Sequence, residues 1–160
     1  ITRGSPEQGL LSYTLGADGT GEKLLIRLAG GSRAPFVKDQ TLDPEWFVRM
    51  DGRPVFKWAV RLLDDTSREV LAAGGFTTND VKLWVFHQAN IRILDAAAQA
   101  LGIDMSKCET HIERYGNTSA GSVPIALDEA FRAGRFGRSD LLMMSGFGGG
   151  LAWGTALMRW

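Results

Sequence analysis

The chain has 160 residues, 44% hydrophobic and 22% charged, with eighteen Lys and Arg balancing eighteen Asp and Glu. That is the make-up of one soluble globular domain with a real core, and zero formal charge excludes a net field recruiting nucleic acid or a membrane surface. One cysteine, Cys108, excludes an internal disulfide and fits a reducing, cytoplasmic setting; no apolar run approaches the roughly 18–20 residues that span a bilayer, and none resembles a signal segment.

Ile1-Thr2-Arg3 reads as the tail of a strand entering a Gly4-Ser5-Pro6 turn, and a start on Ile1 reads as a piece of something longer. Turn formers punctuate the next stretch: Ala17-Asp18-Gly19, Gly30-Gly31-Ser32, Ala34-Pro35 and Asp43-Pro44. Between them Leu10, Leu11, Tyr13 and Leu15 predict a short strand, and Leu24-Leu25-Ile26 another. Ala29 to Pro44 lacks a periodic apolar pattern and is expected to be a long surface excursion, of a kind that often carries function.

From Met50 the pattern sharpens. Val55, Phe56, Ala59, Leu62, Leu63, Thr66 and Val70 share one helical face, opposite Arg61, Asp64, Asp65, Arg68 and Glu69, and Gly74-Gly75 stops that helix. Leu83-Trp84-Val85-Phe86 predicts a strand covered on both faces. Ile91, Leu94, Ala97, Ala98 and Leu101 predict a helix capped by Asn90 and closed by Gly102. Cys108 to Ile112 alternates weakly, as a short strand would. Pro124 suits a first helical turn with Ser122 as a possible cap, and Ile125, Leu127, Ala130 and Phe131 continue that helix to Gly134. Leu141 to Met144 predicts a buried strand, and Leu151 to Trp153 with Ala156 to Met158 the last one. Arg132, Arg135 and Arg138 read as solvated surface.

The predicted order is α/β: a mixed, mostly parallel sheet flanked by helices, ending in an antiparallel pair joined by a glycine turn. Residues 1–50 supply strands and a long surface loop, and 51–160 form the core.

Three polar elements fall at the ends of these predicted strands and turns. They are His87 with Gln88, Ala89 and Asn90; Asn117 in Gly116-Asn117-Thr118-Ser119-Ala120; and Gly146-Phe147-Gly148-Gly149-Gly150. An imidazole, a carboxamide and an exposed backbone turn are what a site uses to hold charge developing on a carbonyl oxygen. Each also has a structural reading: a helix-capping histidine, an asparagine chosen for left-handed backbone, a flexible glycine hairpin. The glycines do not complete a dinucleotide fingerprint, because a strand follows them. No serine or cysteine stands in a convincing nucleophile setting.

Taken together, Phe86-His87-Gln88-Ala89-Asn90-Ile91-Arg92, Tyr115 to Pro124, and Gly146 to Gly150 with Trp153-Gly154 closely resemble β-ketoacyl-[acyl-carrier-protein] synthase III. Asp51-Gly52-Arg53-Pro54-Val55-Phe56-Lys57 resembles the segment opening a long helix in the same family. The resemblance implies the C-terminal half of a thiolase-like fold, with the catalytic cysteine in an N-terminal half that this chain lacks. If Cys108 to Ile112 is a strand, Cys108 and His111 point to opposite faces and cannot pair as nucleophile and base; Cys108 is expected to be a plain buried thiol.

The implied reaction is decarboxylative Claisen condensation of an acyl-CoA primer with malonyl carried on acyl carrier protein, starting fatty-acid or polyketide synthesis. By resemblance His87 and Asn117 donate to the thioester enolate and are catalytic. The N–H of Gly149 forms an oxyanion hole, while Phe147 and Gly148 line the site. Gly52, Phe56, Ala89 and Asn90 match positions near the pantetheine arm of coenzyme A, Arg53 departs from the family's usual asparagine, and Gln88 and Arg92 are expected to meet acyl carrier protein. A homodimer is implied; no metal or resident cofactor is expected, the coenzyme A and carrier thioesters being substrates. Two other readings remain: a related acyltransferase that primes a polyketide or forms an ester or amide, and a non-catalytic dimerisation or carrier-docking module. A cysteine hydrolase using Cys108 is more remote.

Overall fold

In the computed structural model, which describes residues 8–41 and 43–160, the run around Trp84 is a strand buried along nearly its whole length. This is β4 (Val81–Phe86), and only Lys82 in it is exposed. Its alternate side chains feed two separate cores. Trp84 and Phe86 pack with Met143 and Leu157 under α1 (Gly52–Gly74) and α2 (Ile91–Leu101), while Leu83 and Val85 pack with Leu142 under α4 (Ser122–Arg132). A period of two on the strand therefore produces helix layers on both faces of one sheet.

The sheet has the order β1-β6-β5-β4, with β1 at Gly9–Ala17, β5 at Leu141–Gly148 and β6 at Ala152–Arg159. β4 and β5 pair in parallel, whereas β6 runs against both β5 and β1. Three strands thus share one direction and β6 alone opposes them: the sheet is mixed, as expected, but with β6 between β1 and β5 two of its three pairings are antiparallel. The terminal antiparallel pair is joined through the glycine turn, with Gly148 opposite Ala152.

The helix boundaries follow the chemistry of their ends. The Asn90 carboxamide accepts from the Arg92 N–H at 3.0 Å, a cap typically worth about 1 kcal/mol. Gly102 ends the same helix at φ 70°, a left-handed turn that glycine adopts without cost. On α1 the expected face is buried from Val55 to Val70, extended by Ser67 and Leu71.

Several expectations are corrected. Cys108 to Ile112 is not a strand: Cys108 makes one isolated parallel bridge to Trp84, and the Glu109 N–H donates to the Trp84 carbonyl. Past that bridge the chain coils into the single turn α3 (Ile112–Tyr115), and the Arg135 guanidinium binds the Glu109 carboxylate. Arg135 is therefore a half-buried anchor rather than solvated surface. Ser122 is the first residue of α4, not its cap, and its hydroxyl is turned elsewhere. Phe131 is exposed; the inner face of α4 is Ser122, Ala126 and Ala130, small side chains that let the helix approach the sheet.

Before α1 the chain makes the excursion expected from its composition. Its base is pinned by a two-residue antiparallel pair, β2 (Leu25–Ile26) with β3 (Arg49–Met50). Inside it Trp46 is buried and meets Phe36 edge-on at 5.2 Å. The predictions for Ile1 to Pro6 lie outside the described residues. Within those residues no helix is long and apolar enough to cross a membrane.

Candidate active site at the carboxyl ends of β4 and β5

His87 follows the last residue of β4 directly, and its N–H donates to the Ser145 carbonyl of β5 at 2.8 Å. The strand pair thus sets the point where the imidazole leaves the sheet. The ring stands edge-on to Phe147 at 5.1 Å, and Phe147 meets Trp58 of α1 at 5.7 Å. Trp58 in turn meets Trp153 at 6.1 Å, so aromatic surface packs beside the imidazole. Burial of the ring holds its pKa below the ordinary imidazole value of 6.5, with no charged neighbour among the causes. At neutral pH His87 is an uncharged imidazole.

Asn117 lies in the turn between α3 and α4. Its Oδ1 accepts from the Ser119 N–H at 2.9 Å, which fixes the carboxamide and leaves its amino group as the free donor end. Ser119 holds φ 52° to make this local ring. The turn is tied to α4 by Glu129, which receives Tyr115 Oη at 2.7 Å and the Arg114 guanidinium at 2.5 Å.

A cavity of about 760 Å³ gathers these groups. His87, Asn117, Phe147, Gly148 and Gly149 all line it, brought together from three separate stretches of sequence. Gly149 is exposed in the turn after β5, and its α-carbon sits close to the Leu25 carbonyl: a β-carbon added there would lie 3.0 Å from that oxygen. Two neutral donors and an exposed backbone turn lining one cavity can bind an oxygen that acquires negative charge.

Other predicted residues lie elsewhere. Gly52, Phe56, Ala89 and Asn90 do not line this cavity. Gly52 is the exposed first residue of α1, Phe56 and Ala89 pack against the larger core, and Asn90 spends its carboxamide oxygen on the α2 cap. Arg92 is exposed on the first turn of α2. Gln88, expected at a protein-docking surface, is fully buried. Its amide nitrogen donates to the carbonyls of Phe86 and Glu109, and its oxygen accepts the His111 N–H. Every polar end of Gln88 is used inside the protein, so it cannot be a docking contact.

Cys108 is buried away from the cavity, and desolvation pushes its thiol up to about 12. The premise that placed it opposite His111, a strand, does not hold. Its exclusion as a nucleophile rests on that burial, and His111 is itself occupied with the Ser122 carbonyl at 2.9 Å.

Sequence reasoning missed one buried residue here. Ser122 places its hydroxyl 2.6 Å from Nδ1 of His87 at the floor of the cavity. It also missed the part of the lining made by Leu25, Ile26, Arg27 and Val48 from the segment before α1. Its place two residues past the Gly116–Ala120 turn was the only signal for Ser122, and for Leu25, Ile26, Arg27 and Val48 as lining there was none. Among the described residues no group of three or more His, Cys, Asp or Glu gathers as metal ligands.

A layered α/β/α unit with one reversed strand, carrying a histidine at a strand-to-helix corner and a glycine hairpin, is a thiolase-like fold of the condensing-enzyme type. Residues 71–160 match the family model for the 3-oxoacyl-[acyl-carrier-protein (ACP)] synthase III C terminal, and the chain belongs to that family. It is 49% identical over 95% of its length to the β-ketoacyl-[acyl-carrier-protein] synthase III of Rhodopirellula baltica, covering 44% of that protein. The crystal structure of the synthase III from Thermus thermophilus superposes with a TM-score of 0.89 at 40% identity, over all of this chain and 49% of that one. The priming β-ketosynthase from the R1128 polyketide pathway superposes at 0.81 with 34% identity, over 94% and 45% of the two chains. The chain spans about half the length of the curated relatives it matches.

Proposed function

We propose that this chain is the C-terminal catalytic half of a β-ketoacyl-[acyl-carrier-protein] synthase III, catalysing decarboxylative condensation of an acyl-CoA primer with malonyl-acyl carrier protein. The observation that carries the reading is that His87 and Asn117, thirty residues apart in sequence, line the same cavity as Gly149. Loss of carbon dioxide from the malonyl group leaves an enolate on the thioester oxygen. Two neutral donors offset that charge without themselves changing protonation, and losing one such donor costs about 3–4 kcal/mol of barrier. The desolvated, uncharged state of His87 suits that role.

The nucleophilic thiol in this reading comes from polypeptide outside these 160 residues, because the one cysteine here is buried and inert. The Gly149 N–H serves the acyl-transfer oxyanion. Gly52, Phe56, Ala89 and Asn90 lie along the pantetheine arm, and Arg92 faces the acidic carrier protein from the exposed end of α2. The working enzyme is a cytoplasmic homodimer, with coenzyme A and carrier thioesters as substrates rather than resident cofactors.

The test is reconstitution with a cysteine-bearing N-terminal half. Condensation of an acyl-CoA with malonyl-acyl carrier protein is expected from the pair and not from this chain alone. His87→Ala or Asn117→Ala is expected to lower carbon dioxide release from the malonyl thioester by about 10²–10³-fold. Unchanged release in both variants would leave a carrier-docking or dimerisation role instead.

A further inference from the structure

The buried groups behind His87 form a continuous hydrogen-bonded chain that the condensation chemistry does not by itself require. It begins at Gln88, whose amide bridges the Phe86 and Glu109 carbonyls and whose oxygen receives the His111 N–H at 3.1 Å. The His111 ring nitrogen Nε2 then meets the Ser122 carbonyl at 2.9 Å. A carbonyl only accepts, so the hydrogen of that bond sits on His111 Nε2. The chain ends with the Ser122 hydroxyl against Nδ1 of His87 at 2.6 Å. Gln88, His111 and Ser122 are all fully buried.

The direction of the last bond follows from satisfaction of a buried hydroxyl. Ser122 Oγ has one hydrogen and one partner, His87 Nδ1. If Nδ1 carried the hydrogen, the serine O–H would point at nothing, at a cost of about 1–3 kcal/mol for an unsatisfied buried donor. If Ser122 donates, both groups are satisfied and the ring hydrogen resides on Nε2. That nitrogen has no protein partner among the described residues and is not enclosed, so it is the edge His87 turns to the cavity.

We infer that Ser122 is a positioning residue, whose hydroxyl donates to His87 Nδ1 and holds the imidazole as the Nε2–H tautomer that can donate to a substrate oxygen. A carboxylate in the same place would also orient the ring, but it would favour the imidazolium. A hydroxyl fixes the tautomer and leaves the ring neutral. Arg27 lines the same cavity and His111 lies behind Ser122; neither is an anion, and no charged group shifts the His87 pKa. His111 and Gln88 complete the frame: they hold the first turn of α4, and with it the serine, against the end of β4.

The inference rests on the condensing reading for its catalytic meaning, but its physical content is measurable without turnover. The chain holds only two histidines, so histidine-selective ¹⁵N labelling gives a spectrum that a His87→Ala variant assigns. In the unmodified protein His87 is expected to show an unprotonated Nδ1 and a protonated Nε2. Ser122→Ala is expected to give a tautomer mixture and lower kcat for condensation by the reconstituted enzyme on the order of 10-fold with little change in KM. Ser122→Thr, which keeps the hydroxyl, is expected to restore both. A hydrogen found on Nδ1 of the unmodified protein overturns the proposal with no variant needed, and so does an unaltered tautomer in Ser122→Ala. If the tautomer responds as stated while His87→Ala leaves malonyl decarboxylation unchanged, the positioning assignment holds and the condensing reading is the one that fails.

Discussion

Gly149 and Leu25 are neighbours in the cavity lining, where the turn after β5 and the strand β2 meet backbone to backbone. A β-carbon at position 149 would lie 3.0 Å from the Leu25 carbonyl oxygen, closer than such atoms settle without movement. Gly149→Ala is therefore expected to displace either the turn or β2 by a few tenths of an ångström. A misplacement of about 1 Å can cost about 10²-fold in rate, so this smaller shift is expected to cost less than that, read as a fall in kcat of the reconstituted enzyme with thermal stability lowered by no more than a few degrees.

Gln88 supports a different expectation from the one its place in the motif suggests. It serves two carbonyls and one N–H in a region with no water access. Gln88→Leu leaves those groups unpaired, and at about 1–3 kcal/mol for each unsatisfied group the total loss of stability is expected to reach at least ~3 kcal/mol. Urea denaturation measures it. A variant of unchanged stability with weakened binding of acyl carrier protein would return Gln88 to the surface role.

The contrast between Gln88 and His87 shows what sequence carried and what it did not. Strand β4, both long helices and the caps at Asn90 and Gly102 were legible because local periodicity and end chemistry decide them. His87 and the glycine turn stand out in sequence because each follows a strand of that kind, and Asn117 by its Gly-Asn turn alone; all three line one cavity. What stayed hidden depends on contacts distant in sequence. The Glu109 carboxylate is taken by Arg135, twenty-six residues later. Ser122 is already helical rather than a cap, and its hydroxyl goes to His87, thirty-five residues earlier. The cavity wall at Leu25, Ile26, Arg27 and Val48 exists only because β2 and β3 close the excursion on itself.

Cys108 gives a negative result that can be checked directly. With its thiol pushed up to about 12 by burial, the thiolate fraction at neutral pH is on the order of 10⁻⁵. Iodoacetamide at pH 7.5 is expected to leave Cys108 unmodified in the folded protein and to label it once the protein is unfolded in urea. Cys108→Ala is expected to keep the activity of the reconstituted enzyme within about twofold, at a stability cost set by the small void it leaves, ~1 kcal/mol. Inactivation by alkylation at Cys108 itself would contradict both the burial and the assignment of the nucleophile to another part of the protein.

His87 sets the behaviour in acid. Burial lowers its pKa from 6.5 in the folded protein, while the unfolded chain keeps the ordinary value. Between the folded and unfolded values the unfolded state binds more protons, so the His87 contribution to stability is full above 6.5 and is lost as pH falls through the folded pKa. Charging the ring also reverses the bond to Ser122, because a protonated Nδ1 must donate where it had accepted. The acid limb of kcat for condensation is accordingly expected below pH 6.5, where a solvent-exposed imidazole would already be half charged. The stability difference between the unmodified protein and His87→Asn, measured by urea denaturation, is expected to shift against the unmodified protein as pH drops from 7 toward 5. An acid limb centred at or above 6.5, or a stability difference flat across that interval, would mean that His87 is neither desolvated nor held neutral by its surroundings.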